Sequence, residues 1–196
     1  MRYAVLLPIL LSTAPLAGCI SFGATPPPTL LTIEPSAAVP IGPVQRATGA
    51  GALTVAVPSV PQALATNRVP VQATPTTIAY IKDAQWAEPP ARLFARLMGD
   101  TITARTGRLV LTAGASSVDP GARLGGELRR FDLDATARAA VVTFDATLIR
   151  GDAGAVEKRR FEARVPVTAI DAANAGTALG GAANQVAAQV ADWVGR

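Results

Sequence analysis

The 196-residue sequence contains no histidine and one cysteine, with 5% aromatic and 16% charged residues. Without histidine the chain lacks the commonest general base and the commonest metal ligand. Serine triads, cysteine–histidine dyads and zinc sites of the usual kinds are therefore excluded. A single cysteine excludes an internal disulfide. Because so few residues are aromatic and about forty are alanine, the core has to be built mainly from Val, Leu and Ala. The net charge of +4 is scattered, Arg outnumbers Lys, and no basic cluster exceeds two or three residues, so no nucleic-acid footprint is present. No apolar run near the N-terminus approaches the roughly 20 residues of a membrane-spanning helix. These absences disfavour an enzyme and leave no expected catalytic residue, cofactor or metal. The length still suits one domain of ordinary size that can bury a continuous core.

What is present begins with an address. A basic start at Arg2 is followed by an apolar run from Tyr3 to Leu11, broken by Pro8, and then by small residues leading into Leu16-Ala17-Gly18-Cys19. Residues 1–18 read as a signal peptide. The Leu-Ala-Gly-Cys ending resembles the bacterial lipobox, which makes Cys19 the lipid attachment site, acylated with palmitate-like chains, and the first mature residue. A plain secreted protein would leave unexplained why the lone cysteine stands at this position. Several acyl chains give stable anchoring, because each buried methylene contributes about 0.8 kcal/mol and one chain alone is marginal. By analogy with enterobacterial sorting, Ile20 rather than an aspartate favours the outer membrane.

Residues 19–51 form a tether and loop: Pro26-Pro27-Pro28 acts as a semi-rigid spacer, Thr29 to Ile33 forms a short first strand, and Glu34 to Gly51 has no sustained period. Residues 52–196 form a single domain. Ala52 to Val57 alternates as a strand with Leu53, Val55 and Val57 on one face, and Pro58 ends it. Arg68 to Ala73 and Thr76 to Ile81 read as a hairpin around Thr74-Pro75, with Pro70 pointing to an edge position. Between Ala84 and Gly107 the period becomes helical: Pro89 and Pro90 suit a first turn, and Leu93, Phe94, Leu97, Met98 and Ile102 share one stripe. A short strand at Arg108 to Thr112 precedes three long ones, Ala122 to Leu133, Ala139 to Arg150 and Val156 to Val167, the last two joined through Gly151-Asp152-Ala153-Gly154. Leu128 and Phe131 are three apart, which breaks strict alternation and predicts a bulge near Arg129 or Arg130. A second helix runs from an Asp171 cap to Val194. The irregular order of strands and helices predicts an α+β fold, a mixed and largely antiparallel sheet with two helices on one face.

The residues from Leu53 to Ile102 resemble the ABC-type transport auxiliary lipoprotein family, the group that includes a paraquat-inducible outer-membrane lipoprotein. The resemblance rests on Val55, Val57 and Pro58, then Leu64, Arg68 and Val71, then Ile78 and Tyr80, and then Trp86-Ala87-Glu88-Pro89 opening a helix. The chain departs from the pattern at Pro70, which lies two residues after Arg68, at Pro90 in place of a leucine, and in having no tyrosine around Thr29 to Ile33. The resemblance implies an α/β fold similar to the N-terminal domain of the TolB translocation protein. It also implies a non-enzymatic subunit of a phospholipid or lipid transport machine of the mammalian-cell-entry type. Such a protein is anchored to the periplasmic face of the outer membrane by its lipid and docks the mammalian-cell-entry-domain protein of the ABC transporter; homo-oligomeric rings stay open. A TolB-like or cell-wall-synthase-regulating scaffold is the alternative of a different class.

Every other chemical feature has a bland counterpart. Trp86 is either core packing or a partner contact, and Glu88 either complements the helix dipole or binds a partner. Lys158-Arg159-Arg160, like Arg129 and Arg130, reads as a solvated strand face before it reads as a headgroup or acidic-partner site. Gly180-Gly181 and Gly49-Ala50-Gly51 lack the strand, helix and lysine of a phosphate loop. Ser116-Ser117 would meet Lys82 or Lys158 only by coincidence of folding. Asp132 and Asp134 share a strand face without the further acids that calcium needs.

Overall fold

The computed structural model describes residues 27–195 except 38, 40, 43, 48–50, 113–119 and 152–154. Cys19 with the signal segment, Ser116-Ser117 and most of the Gly151–Gly154 loop lie outside the described residues. Seven strands and two helices follow in the order β1 (Leu53–Val55), β2 (Arg68–Thr74), β3 (Thr77–Gln85), α1 (Pro90–Thr106), β4 (Val110–Thr112), β5 (Ala122–Asp134), β6 (Ala139–Arg150), β7 (Ala155–Pro166) and α2 (Ala172–Val194).

The long strand β5 organises the sheet. One of its edges pairs antiparallel with β6, from Ala122 opposite Arg150 to Asp134 opposite Ala139, and β6 pairs in turn with β7. Its other edge is shared by two short strands placed end to end. Leu53–Val55 of β1 run parallel to Ala122–Leu124, and Val71-Gln72 of β2 run parallel to Leu133-Asp134, with Ser59 bridging to Glu127 between them. β4 adds outside β1, parallel, and β3 outside β2, antiparallel. The class is therefore α+β with a mixed sheet.

Both helices cover the same face. Phe144 and Phe161 are directly opposed across β6 and β7. The ring of Phe94 from α1 packs edge-on against Phe144 at 5.2 Å, and Trp193 from α2 lies 5.5 Å from Phe161. Alternation supplies the rest of this core: Ala140, Val142, Ala146 and Leu148 from β6 meet Leu179, Ala182, Val186 and Val190 from α2, all buried. The bulge lies where the spacing of Leu128 and Phe131 puts it, between Leu128 and Arg130, and it lets both apolar side chains reach the core. Gly107 ends α1 in the left-handed region (φ 68°), and the Asp171 side chain caps α2 by accepting from the Asn174 N–H at 2.9 Å. At the other end of α2 the guanidinium groups of Arg108 and Arg150 both donate to the Val194 carbonyl, where a helix presents unpaired oxygens.

Four local expectations are corrected. β3 continues past Ile81 to Gln85, because Arg68 pairs with Gln85 after a bulge over Ile81–Ala84 in which Asp83 takes a positive φ of 57°. Pro70 is not at an edge: β2 lies between β3 and β5, and the proline sits beside a register shift, one residue before the ladder to β5 begins. Val57 is 54% exposed because the chain leaves the sheet after Val55. The strand expected over Thr29 to Ile33 is reduced to one bridge, Leu31 to Trp86.

That bridge starts a strap over α2. Leu31 lies so close to Gly176 that a side-chain Cβ there would sit 2.9 Å from a leucine methyl. Further along, the Asn184 amide donates to the Glu34 carbonyl (2.9 Å) and accepts from the Ser36 N–H (2.7 Å), holding the strap by its backbone.

Candidate functional site

The segment Trp86-Ala87-Glu88-Pro89 joins β3 to α1, and its backbone is fixed on both sides. The Trp86 N–H donates to Asn67 O (2.7 Å), and Ala87 N–H donates to Leu31 O (2.9 Å). The Trp86 indole is fully buried and meets Phe131 edge-on at 5.4 Å. Its N–H has no acceptor among the described residues. Of the two readings open for Trp86, the geometry corresponds to packing, since no partner reaches a ring with zero exposure. Glu88 is partly exposed and bonds Arg96 at 2.8 Å, one lip of a groove of about 440 Å³ between α1 and β4. Val55, Val57, Val110 and Leu111 form its apolar floor. Asp100 lines the same groove, and burial raises its carboxyl above the usual range.

The second surface is the face of the sheet that no helix covers. At the β6–β7 hairpin end, Ser59, Glu127, Asp145, Lys158 and Arg160 surround an open depression of about 610 Å³. Asp145 is gripped by Arg160 at 2.5 and 2.7 Å and by Arg129 at 3.4 Å. The bond from Arg160 leads the causes that hold its carboxyl below the usual range. Gly126 is required here: its φ is 142°, and a Cβ would lie 2.0 Å from the Asp145 carbonyl oxygen.

Toward the opposite end of β5, Arg130 bonds Asp132 (2.6 Å) and Asp134 (3.4 Å). The two carboxylates diverge in acidity. Burial raises Asp132, whereas the Ala137 N–H chiefly lowers Asp134. The expectation that these aspartates share a face is met, and the Arg130 guanidinium links them. Among the described residues no three His, Cys, Asp or Glu side chains group as a metal site would need. No helix among them is long and apolar enough to cross a membrane.

Sequence reasoning missed the strap and its Asn184 clamp, and the only local hint was Gly176 on an alanine-rich helix. It also missed the α1–β4 groove, because the groove joins side chains from three separated segments. Chemically, these surfaces offer paired charges, exposed grooves and unpaired strand edges. Such features suit recognition of a macromolecular surface.

Comparison with known proteins agrees with this architecture. The family model for the ABC-type transport auxiliary lipoprotein component matches residues 31–191, from the strap to the last turn of α2. No curated protein matches the sequence. Among solved structures, the DUF330 protein XCC0632 of Xanthomonas campestris superposes with a TM-score of 0.64 at 22% identity, covering 86% of this chain and 92% of its own. An uncharacterized protein of known crystal structure superposes with a TM-score of 0.65 at 20% identity, covering 77% and 96%. At these identities the likeness is one of fold.

Proposed function

Because this chain belongs to the family of ABC-type transport auxiliary lipoprotein components, we propose that it is the outer-membrane lipoprotein subunit of an ABC-type lipid transport system of the mammalian-cell-entry kind. Acyl chains on Cys19 hold it at the periplasmic face, and the folded body docks the mammalian-cell-entry-domain protein that carries the lipid. The observation that carries this reading is the family match over residues 31–191, which takes in α1, the seven strands and α2 as far as Ala191. A sequence without histidine, presenting salt-linked surfaces and shallow grooves, supports a non-enzymatic docking role. Lys158 and Arg92 mark the two candidate docking surfaces.

The test is photo-crosslinking in cells from residues placed at 158 and 92. Recovery of a mammalian-cell-entry-domain protein from either position supports the proposal. Recovery of a cell-wall synthase supports the scaffold alternative, and recovery of no transport protein overturns the docking role. Separately, Cys19→Ala is expected to release the protein from the membrane fraction. Continued anchoring of that variant would remove Cys19 as the attachment site.

A further inference from the structure

The outer edge of β7 is open along its length. Among the described residues β7 pairs only with β6, and its residues from Ala155 to Arg160 are all exposed. The ladder fixes which backbone groups are free. The Val167 N–H donates to the Arg138 carbonyl, and the register continues from that pair through Ala140 with Val165 to Arg150 with Ala155. Every second residue of an antiparallel strand bonds the same neighbour, so the odd-numbered residues of β7 turn their N–H and C=O groups to β6. Val156, Lys158, Arg160, Glu162 and Arg164 therefore turn theirs outward, where no described backbone group meets them. Pro166, the next position of that set, is tolerated because β6 needs no N–H from it. The side chains of this outward set lie on the sheet face that no helix covers.

The free edge carries an excess of positive charge. β7 has four cations, Lys158, Arg159, Arg160 and Arg164, against the two acids Glu157 and Glu162. Both acids are engaged, Glu157 by Arg150 and Glu162 by Arg164 and the Thr143 hydroxyl. Arg159 stacks over Phe161 and Arg160 holds Asp145, whereas the Lys158 ammonium has no acceptor among the described residues. Lys158 lines the open depression together with Ser59 and Thr147. Two residues away, Val156 (60% exposed) stands opposite Ile149 (38% exposed), and the pair makes a small apolar step on the same face. A second copy of β7 would bring the same excess of cations to this edge, so repulsion opposes self-pairing. An acidic strand is what these charges admit.

We propose that the outer edge of β7 is a strand-addition site that takes an extended acidic segment of the docked partner protein, with an apolar side chain beside Val156 and carboxylates beside Lys158 and Arg160. This deepens the docking role proposed above and rests on it for the identity of the partner. Backbone bonds to the outward groups between Val156 and Arg164, about 27 Å of strand, supply affinity, and alternate side chains on the open face supply specificity. A carboxylate beside Lys158 forms an ion pair that the free protein lacks. One beside Arg160 shares a guanidinium that Asp145 already orients.

The probe is a peptide of sequence Val-Thr-Asp-Thr-Asp-Thr-Val with blocked termini and an uncharged dye, which presents the same side chains in either strand direction. It is titrated into the full lipidated chain in a non-ionic detergent and read by fluorescence anisotropy, beside a control peptide with lysine in place of both aspartates. The acidic peptide is expected to bind at least about tenfold more tightly than the control, and Lys158→Glu to reverse that preference. Lys158→Pro removes an outward N–H and no bond to β6, so it is expected to weaken the acidic peptide further than Lys158→Thr, which removes the charge alone. Equal binding of the two peptides, or no binding of either below about 1 mM, overturns the site. Equal losses in the proline and threonine variants, both folded by circular dichroism, overturn strand addition. If photo-crosslinking from position 92 recovers the transport partner while the acidic peptide fails to bind, this inference falls and the docking role stands. Peptide binding with the charge reversal, but no transport protein crosslinked from 92 or 158, supports the edge site and overturns the docking role.

Discussion

The two faces of the sheet are built from the same strands and held by different forces. On the covered face, alternate residues of β5, β6 and β7 are buried beneath α1 and α2, and the stabilisation comes from apolar area and close packing. On the open face, the residues between them form a quilt of ion pairs: Arg160 with Asp145, Arg130 with Asp132 and Asp134, Arg164 with Glu162. The exposed pairs of Asp145 and Glu162 are worth little each, whereas Asp132 is buried beside Arg130, and together they leave a surface whose charges are largely paired. The covered face supplies most of the folding free energy, and the open face supplies contributions that vary with pH and ionic strength. The strap belongs to the covered side, which ties the tether mechanically to the core through Leu31 and Asn184.

This contrast can be broken experimentally, beginning with its largest expected effect. Phe131→Ala removes a fully buried ring that packs on Trp86 and should cost about 3–5 kcal/mol in urea unfolding. A loss below about 1 kcal/mol would mean that the covered face does not dominate stability. Gly126→Ala forces a side chain into a positive φ against a carbonyl and should cost about 1–3 kcal/mol at least, although it lies on the open side. Asn184→Ala removes two hydrogen bonds to the strap and should cost about 1–2 kcal/mol. Amide hydrogen exchange should then rise at Leu31 and Ala87, which share the bridge, before it rises in β6.

The smallest effects sharpen the comparison most, because they carry a sign. Asp145 has a lowered carboxyl pKa, so its stabilisation is present above the ordinary carboxylate range and is lost as pH falls through the lowered value. Asp132 has a raised pKa, so its contribution is full in acid and is lost as pH rises through the raised value. Asp145→Asn should cost about 0.5–1 kcal/mol near neutrality and flatten the rise of stability with pH from the acid side. Asp132→Asn should steepen the same rise. Urea midpoints measured from pH 3 to pH 7, the range that brackets carboxylate titration, test both. Parallel curves for the two variants would contradict the opposed roles assigned to these aspartates.

Much of this was legible in the residues. The alternation of Ala140, Val142, Phe144, Ala146 and Leu148, the bulge forced by Leu128 and Phe131, and the Asp171 and Gly107 caps all rest on interactions within a few residues, which sequence spacing reports directly. The segment around Trp86 was legible as important but not as buried, because a tryptophan before a helix looks the same whether it packs inward or outward. Pro70 misled for a related reason. A proline argues for an edge until a register shift, invisible in one strand alone, removes the need for its missing N–H.

The sequence by itself determined the classes of chemistry that are closed to this protein, the two helices and the long strands, and the lone cysteine placed where a lipid anchor would be. The tertiary structure alone decided that β1 and β2 share one edge of β5, that the strap crosses α2 under the grip of Asn184, and that Val55, Val57, Val110 and Leu111 line one groove with α1. Local periodicity depends on neighbouring backbone geometry and can be read along the chain. Which distant segments meet depends on the packing free energy of the whole molecule, and no single stretch of residues contains it.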